Sequence, residues 1–340
     1  MKAIFLNSSD TMISRVFTEA TQAKIREKVE LLPEVVKPTD LVARKGEFDD
    51  VDFIFSTWGI LSVPTDAEKV TPEMLADYFP NLRAVFYGAG TVKSFAKGVH
   101  AQGAKVFSAW AANAVPVAEF IVAQIILANT GYFQSAVITK GGKWGDGRKI
   151  ADKMPHNYDI KVGLIGCGMI GSLVARMLKS YSFEVLAHDP FMSAEKAADL
   201  GVKSVSLEEI FSECFTISNH LPDIAKTKNM LNYDLFKLMK PNGNFINTGR
   251  GAQVREYDLI RALVEEPGRT ALLDVTAPEP PKPLSPLFTM PNIFLTPHIA
   301  GSMGNEVARM GDYVTEEFLA FVEGKETRYE VTPEMLETMA

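Results

Sequence analysis

The chain has 340 residues, 46% of them hydrophobic and 23% charged, an ordinary globular balance with room for about two domains. The formal net charge of −7 and the lack of a stripe of Lys and Arg argue against a nucleic-acid partner. The two cysteines, Cys167 and Cys214, cannot form a disulfide framework, and no Cys/His cluster predicts a metal site. We expect a cytoplasmic protein without a bound metal, nucleic-acid partner or membrane anchor.

The first third of the chain alternates short apolar runs with amphipathic ones. A helix is predicted to begin within TPEMLADYF (71–79), where Thr, Pro and Glu form a common helix start. The predicted strands are KAIFLN (2–7), VDFIFS (51–56) and LRAVFY (82–87). This alternation is typical of βαβ units and predicts a parallel sheet.

A long apolar stretch, AVPVAEFIVAQIILAN (114–129), follows. It falls short of about 18 uninterrupted apolar residues and carries Glu119 and Gln124, which favours a buried helix over a membrane span. The next segment, KGGKWGDGRK (140–149), is rich in Gly and Lys and is predicted to be a surface loop.

A second alternating series begins near residue 160 and ends in a helix over 301–323. Its predicted strands are IKVGLIG, FEVLAHD (183–189), CFTISN (214–219), GNFINT (243–248), TALLDV (270–275) and NIFLTP (292–297). The fold class is therefore α/β, with a small and a larger parallel-sheet domain. A closing helix of this kind often returns to the first domain, which would leave a cleft between the two.

The run VGLIGCGMIGSLVARML (162–178) predicts a strand, a tight turn and a helix. The turn carries Gly166, Gly168 and Gly171 in the pattern G-x-G-x-x-G, which lets a backbone approach a pyrophosphate at a helix amino end. Asp189 ends the next predicted strand, 18 residues past Gly171, where an acid accepts hydrogen bonds from ribose hydroxyls. No Arg or Lys follows Asp189 closely, so NAD is predicted over NADP.

Three further predicted strands end in polar residues, the position where ligands bind to open parallel sheets. INTGRGAQV (246–254) offers Arg250, LLDVTAPEPP (272–281) offers Glu279, and LTPHIAGS (295–302) offers His298. An arginine can hold the carboxylate of a 2-oxo acid in a bidentate fork. A histidine can donate a proton to the carbonyl oxygen, and a carboxylate can orient the imidazole and stabilise its protonated form.

The series GCGMIG, HLPDIAKT (220–227), NTGRG (247–251), DVTAPEP (274–280) and TPHIAGS resembles the D-isomer-specific 2-hydroxy-acid dehydrogenases over roughly residues 80–325. The resemblance implies two Rossmann-like parallel-sheet domains with a cleft between them. It implies a discontinuous substrate domain (1–112 and 299–340), an NAD-binding domain (113–298) and a homodimer formed through the cofactor domains. It also implies that Arg250, Glu279 and His298 are catalytic.

The same resemblance implies the residues that bind NAD and substrate. The cofactor set is Gly166, Gly168, Met169, Ile170, Gly171, Asp189, His220, Leu221, Pro222, Thr227, Thr248, Gly249, Asp274, Ala300 and Gly301. The substrate set is Trp58, Gly88, Ala89, Gly90, Arg250 and His298. The backbone N–H groups of Gly88–Gly90 are expected to meet the substrate carboxylate.

The expected function is hydride transfer between NAD(H) and a small D-2-hydroxy acid or 2-oxo acid. The main alternative is a non-catalytic NAD-binding regulatory protein on the same fold. A formate dehydrogenase is disfavoured by Glu279, because formate oxidation transfers no proton to oxygen. A phosphoglycerate dehydrogenase is disfavoured because FSTWGIL (55–61) contains no basic residue to hold a phosphate.

Overall fold

The structure is a computed structural model that describes residues 1–337. The chain forms two compact units, one combining Met1–Asn113 with the segment that begins at Ser302, the other comprising Ala114–Gly301. These boundaries lie one and three residues from the predicted ones. The side-chain oxygen of Asn113 accepts a hydrogen bond from the Ser302 N–H at 2.8 Å, which joins the two segments of the first unit at this boundary.

The elements alternate along the chain as the sequence predicted. The strands are β1 (Lys2–Leu6), β2 (Glu30–Val36), β3 (Phe53–Ser56), β4 (Ala84–Tyr87), β5 (Lys105–Ser108), β6 (Tyr158–Ile165), β7 (Ser182–His188), β8 (Lys203–Ser204), β9 (Thr216–Asn219), β10 (Asn244–Asn247), β11 (Thr270–Leu273) and β12 (Ile293–Leu295). The α-helices are α1 (Asp10–Val16), α2 (Glu19–Arg26), α3 (Leu75–Tyr78), α4 (Ala96–Ala101), α5 (Trp110–Ala128), α6 (Tyr132–Lys140), α7 (Trp144–Ala151), α8 (Met169–Leu178), α9 (Ala194–Leu200), α10 (Leu207–Glu213), α11 (Tyr233–Phe236), α12 (Glu256–Glu265) and α13 (Glu306–Val322). Short 3₁₀ turns cover Pro38–Asp40, Pro72–Met74, Gly251–Gln253, Pro286–Phe288 and Glu334–Glu337.

The first unit is built on a five-stranded parallel sheet of order β2-β1-β3-β4-β5. Successive strand residues enter separate hydrophobic clusters, because side chains alternate between the two faces of a strand. One face is rich in phenylalanine. Phe318 of α13 packs edge-on against Phe55 and Phe86, with ring centroids 5.1 and 5.3 Å apart. The last helix therefore completes the core that the first strands begin.

The second unit is built on a seven-stranded parallel sheet of order β12-β11-β10-β9-β6-β7-β8. The sheet order reverses direction at β6, because the chain passes from β6 to β7 and β8 on one side and to β9–β12 on the other. Such a switch point places ligand sites beyond the carboxyl ends of the strands. Hydrophobic clusters cover both faces of this sheet.

Helix α5 matches the predicted buried helix. By length and composition it could cross a membrane, but 61% of its apolar window is buried within the protein. Internal Pro116 and buried Ile121 and Ile125 lie within a helix that packs into the core of the second unit. The structure thus places the apolar run in the interior of the protein.

One prediction about local structure was wrong. The segment 140–149 is not a surface loop, since it holds the end of α6 and most of α7. Gly147 permits this arrangement because a Cβ there would lie 2.1 Å from the Thr139 hydroxyl, so α6 and α7 can approach closely. The predicted helix start in TPEMLADYF is confirmed, with Thr71 as N-cap, and the segment forms a 3₁₀ turn followed by one turn of α-helix.

Candidate functional site

The predicted cofactor and catalytic residues of the second unit all follow strands of its sheet or open the helix after β6. They lie beyond β6, β7, β9, β10, β11 and β12. Because these strands are parallel, their carboxyl ends share one edge. The sequence motifs, separated by up to 135 positions from Gly166 to Gly301, therefore belong to one side of one sheet.

The glycine-rich turn after β6 leaves open space over a helix amino end. Gly166 has a φ of +89°, and a Cβ there would lie 2.9 Å from the His220 carbonyl oxygen. A Cβ on Gly171 would lie 2.1 Å from the Gly166 carbonyl oxygen. A Cβ on Gly168 would meet no atom within 4 Å. The turn is thus packed tightly at Gly166 and Gly171 and faces open space at Gly168. This arrangement leaves room for a pyrophosphate at the start of α8.

Asp189 ties the end of β7 to this turn. One carboxylate oxygen accepts from the Cys167 N–H at 2.8 Å, and the other accepts from the Phe191 N–H at 2.9 Å. The Cys167 carbonyl in turn accepts from Nζ of Lys196 at 2.7 Å. No sequence pattern pointed to Lys196, which the capped start of α9 at Ser193 brings back to the turn. A cation therefore lies near the acid predicted to bind the adenosine ribose.

The loops after β9 and β10 contain buried polar atoms that have no partner in the described part of the chain. Both ring nitrogens of His220 and Oγ1 of Thr248 are buried and have no hydrogen-bond partner among residues 1–337. Burial lowers the pKa of His220 to about 3, so its ring is neutral at physiological pH. An unsatisfied buried polar group costs about 1–3 kcal/mol unless a ligand or water satisfies it. Together with the open turn, these atoms fit a bound dinucleotide.

Thr227, a predicted cofactor residue, closes the same loop. Its hydroxyl lies 2.6 Å from the Pro222 carbonyl oxygen and 3.0 Å from that of Ile224, and it accepts from the Ile224 N–H at 3.3 Å. The Leu221 N–H donates to the side chain of Asn219. The structure therefore gives Thr227 a local role in holding the loop, and its contact with a cofactor stays a prediction.

A buried cluster of three amide side chains links this loop to the one that carries Arg250. Asn219 donates to the side-chain oxygens of Asn247 (3.0 Å) and Gln253 (2.5 Å). Gln253 donates to the Leu221 carbonyl at 2.5 Å and accepts from the Arg250 N–H at 3.2 Å. All three amides are buried, so every bond is sheltered from water. No sequence pattern pointed to Gln253, which lies two residues after Gly251.

Arg250 carries an unpaired charge. Its guanidinium donates to the Gly249 carbonyl at 2.8 Å, and no salt bridge to it occurs within the described part of its unit. The Asn247 side chain fixes the loop by donating to the Arg250 carbonyl and accepting from the Gly249 N–H. A guanidinium that bonds to a backbone carbonyl and has no carboxylate partner can bind an anionic ligand.

The carboxylate of Asp274 organises the loop that carries His298. It is buried and accepts from the Thr296 hydroxyl (2.6 Å), the Ile299 N–H (2.8 Å) and the Ala300 N–H (2.9 Å). The backbone N–H of His298 donates to the Asp274 carbonyl at 3.0 Å. These bonds stabilise the φ of +54° at His298, which is unfavourable for a residue other than glycine. Asp274, predicted to line the cofactor, thus also fixes His298.

His298 and Glu279 form a hydrogen-bonded pair. Nδ1 of His298 lies 2.7 Å from Oε1 of Glu279, with the two side chains 47% and 43% exposed. No hydrogen bond to Nε2 of His298 occurs among residues 1–337. Because Nδ1 is committed to the carboxylate, Nε2 is the nitrogen available to a substrate.

In the first unit, the predicted substrate residues lie beyond β3 and β4, at the carboxyl edge of the five-stranded sheet. Trp58 is 40% exposed, and Gly88–Gly90 directly follow β4. A Cβ on Gly88 would lie 2.6 Å from the Val16 side chain, so the loop passes closely over α1. The roles of Trp58 and of this loop stay predictions.

Residues 122–300, more than half of the chain, match the family model of the D-isomer specific 2-hydroxyacid dehydrogenase NAD-binding domain. The chain belongs to this family. The protein is an NAD-binding member with two parallel-sheet α/β units, and the glycine turn after β6 lies within the matched range.

Curated relatives include a D-3-phosphoglycerate dehydrogenase of Archaeoglobus fulgidus, 30% identical over 67% of this chain and 42% of that protein. A glyoxylate reductase of Korarchaeum cryptofilum is 28% identical over 92% of each chain. The chain therefore spans less than half of the first relative and nearly all of the second. Among solved structures, apo D-mandelate dehydrogenase of Rhodotorula graminis has a TM-score of 0.80 at 19% identity, covering 97% of both chains, a likeness of fold alone.

Proposed function

We propose that the protein is an NAD-dependent D-2-hydroxy-acid dehydrogenase that interconverts a small, non-phosphorylated 2-oxo acid and its hydroxy acid. The observation that carries this proposal is the 2.7 Å contact between Nδ1 of His298 and Glu279, on the same sheet edge as the unpaired guanidinium of Arg250. An acid–base pair and a carboxylate receptor are the groups that reduction of a 2-oxo acid requires.

In this proposal Arg250 holds the substrate carboxylate through two parallel N–H···O bonds and so fixes the position of the adjacent carbonyl carbon. Protonated His298 gives its Nε2 proton to the carbonyl oxygen during reduction, and the neutral imidazole takes it back during oxidation. Glu279 keeps the imidazole in orientation through its contact with Nδ1. The nicotinamide cofactor, when bound, supplies or accepts the hydride.

The substrate is proposed to be non-phosphorylated because residues 55–61, which cover the end of β3 and the segment after it, contain Trp58 and no basic side chain. An apolar indole that is 40% exposed suits a short apolar or polar tail better than a phosphate. The relatives include proteins named for glyoxylate and for 3-phosphoglycerate, so both substrate classes belong in the test.

The roles of the two units, the homodimer and the cytoplasmic location are part of the same proposal. The first unit is proposed to contact the substrate and the second to hold NAD. A partner surface on the second unit is supported by α6 and α7, which expose the apolar side chains of Tyr132, Val137 and Trp144 at 51%, 58% and 78%. Large exposed apolar side chains are enriched at interfaces.

The proposal is tested by NADH oxidation with glyoxylate, pyruvate, hydroxypyruvate, longer 2-oxo acids and 3-phosphohydroxypyruvate. We expect turnover with at least one non-phosphorylated acid, and its loss in His298→Asn with NADH binding nearly intact. NADH binding without turnover of any acid would favour the regulatory alternative. A clear preference for 3-phosphohydroxypyruvate, or oxidation of formate as the main activity, would contradict the proposed substrate class.

A further inference from the structure

We propose that Thr57 and Ser108 are positioning residues for substrate binding, because their buried hydroxyl groups hold the loop Gly88–Gly90 so that the N–H groups of Ala89, Gly90 and Thr91 face the substrate carboxylate. The Gly88 N–H is not part of this receptor, since it donates to the Ser56 carbonyl at 2.7 Å. The inference rests on the proposed function for the identity of the ligand, a 2-oxo acid. Neither residue was singled out in the sequence, where each is a small polar residue at a strand end.

The two hydroxyl groups contact three consecutive carbonyl groups of this loop. Oγ1 of Thr57 lies 2.9 Å from the Gly88 carbonyl oxygen. Oγ of Ser108 lies 2.9 Å from the Ala89 carbonyl oxygen and 2.5 Å from that of Gly90, so one proton is shared between two acceptors. The sheet order explains the arrangement, because β4 lies between β3 and β5 and the loop leaves β4 between the strand ends that carry Thr57 and Ser108.

The orientation of the carbonyl groups determines that of the N–H groups. In a planar trans peptide the N–H points opposite to the carbonyl oxygen of the same unit. With the carbonyls of residues 88–90 turned toward the hydroxyl groups, the N–H groups of Ala89, Gly90 and Thr91 point away from them. None of these three N–H groups has an acceptor among residues 1–337. Successive unpaired N–H groups form a receptor for an anion.

Close packing and the two buried hydroxyl groups together fix the orientation of the loop Gly88–Gly90. Thr57 and Ser108 are fully buried at 0% exposure, so each hydroxyl needs a protein partner. On the other side, a Cβ at Gly88 would lie 2.6 Å from Val16 and 3.3 Å from Phe17, which limits displacement of the loop. Removing either hydroxyl would leave a buried carbonyl unpaired, and the peptide would turn to satisfy it.

The test compares Thr57→Val and Ser108→Ala with the parent enzyme. We expect the KM for the best 2-oxo acid to rise about tenfold in each variant, with kcat changed less and the Kd for NADH unchanged. Thr57→Ser keeps the hydroxyl and is expected to retain a parental KM. This pattern separates a positioning role from a general loss of stability. A general loss of stability would weaken NADH binding as well as raise the KM for the 2-oxo acid.

Matched controls remove buried hydroxyls that do not touch the loop. Ser56→Ala removes a hydroxyl that donates to the Leu6 carbonyl, and Thr21→Val removes one that donates to Asp312. Both are expected to lower thermal stability without raising the KM. If Thr57→Val and Ser108→Ala fold and keep a parental KM, or if the controls raise it equally, the inference is wrong even though the enzyme is active.

Amide hydrogen exchange tests the inference without turnover. Oxamate, a non-reacting analogue of a 2-oxo acid, is expected to protect the Ala89–Thr91 amides of the NADH-bound parent, and to protect them less in Ser108→Ala. If oxamate protects these amides but the parent protein reduces no 2-oxo acid, the proposed function is overturned and the positioning role is supported. An absence of protection in the parent would overturn the positioning role.

Discussion

Nδ1 of His298 lies 2.7 Å from Oε1 of Glu279, while the backbone of His298 is held at a φ of +54° by a loop bonded to Asp274. The carboxylate and the backbone thus fix the imidazole from two directions. The imidazole that is proposed to donate the proton is therefore held in one orientation by its surroundings.

Replacing Glu279 by Gln is expected to lower kcat for the 2-oxo acid at least about tenfold, because Nδ1 of His298 loses the carboxylate that lies 2.7 Å away and orients the imidazole. The Kd for NADH is expected to stay at its parental value. Glu265→Gln, which alters an exposed pair with Arg261, is the control and should leave kcat unchanged. A parental kcat in Glu279→Gln would show that Glu279 does not act on the proton donor.

Arg250→Lys is expected to lower kcat/KM about 100-fold, roughly 2–3 kcal/mol, although the charge is retained. A lysine offers a point charge and cannot form two parallel bonds to a carboxylate. Arg261→Lys changes an exposed arginine paired with Glu265 and should leave kinetics unchanged. Near-parental kinetics in Arg250→Lys would mean that its bond to the Gly249 carbonyl is its main role.

The cofactor preference is expected to depend on Asp189 and Lys196 in opposite directions. Asp189 meets the 2′-phosphate of NADP with like charge, so the parent should bind NADH more tightly than NADPH by a wide margin. Lys196 donates to the neighbouring Cys167 carbonyl and offsets part of that charge. Lys196→Ala should therefore increase the ratio of NADH affinity to NADPH affinity, and Asp189→Ser should decrease this ratio. Equilibrium binding of both cofactors measures this, with Lys179→Ala as the control. Equal affinity of the parent for the two cofactors would contradict the assignment.

Gln253→Leu is expected to destabilise the second unit by about 1–3 kcal/mol, because the Arg250 N–H, the Asn219 amide and the Leu221 carbonyl each lose a buried partner. The effect should extend to function, since Arg250 and the loop after β9 lose their common anchor. Chemical denaturation and the KM for the 2-oxo acid measure the two effects. A stable variant with a parental KM would show that the amide cluster does not position Arg250.

Both cysteines are expected to be unreactive in the folded protein. Burial raises the pKa of Cys167 to about 11 and that of Cys214 to about 12, so almost no thiolate is present near neutral pH. Dithionitrobenzoate at pH 7.5 should label neither residue until the protein is unfolded, and NADH binding should survive the treatment. Rapid labelling of Cys167 in the native protein would indicate that the glycine turn opens readily.

The sequence predicted the parallel sheets and the glycine turn well, because apolar runs and glycine spacing are local signals. It did not identify β2, which contains Pro33. The structure tolerates this proline because β2 is the edge strand of its sheet and pairs with β1. It also missed α7, since Gly145 and Gly147 read as loop residues, whereas Gly147 allows close helix packing.

In the candidate site, the sequence identified residues with distinctive chemistry and missed those that support them. His298, Glu279 and Arg250 were identifiable because their side chains suit one reaction. Lys196, Gln253 and Ser108 act through hydrogen bonds to backbone carbonyls, and such bonds depend on where distant loops meet. A side chain that positions a backbone leaves little signal in a single sequence.

The discontinuity of the first unit has a consequence for the order in which the chain acquires structure during synthesis. Strands β1, β3 and β4 leave the ribosome early, but the rings of Phe55 and Phe86 gain their partner Phe318 only after all of the second unit has been made. At about 5–20 residues per second, this interval lasts on the order of 10–45 s. Until then α1 and α2 cover only part of this apolar sheet face, so the nascent amino-terminal segment is the part of this protein most in need of a chaperone.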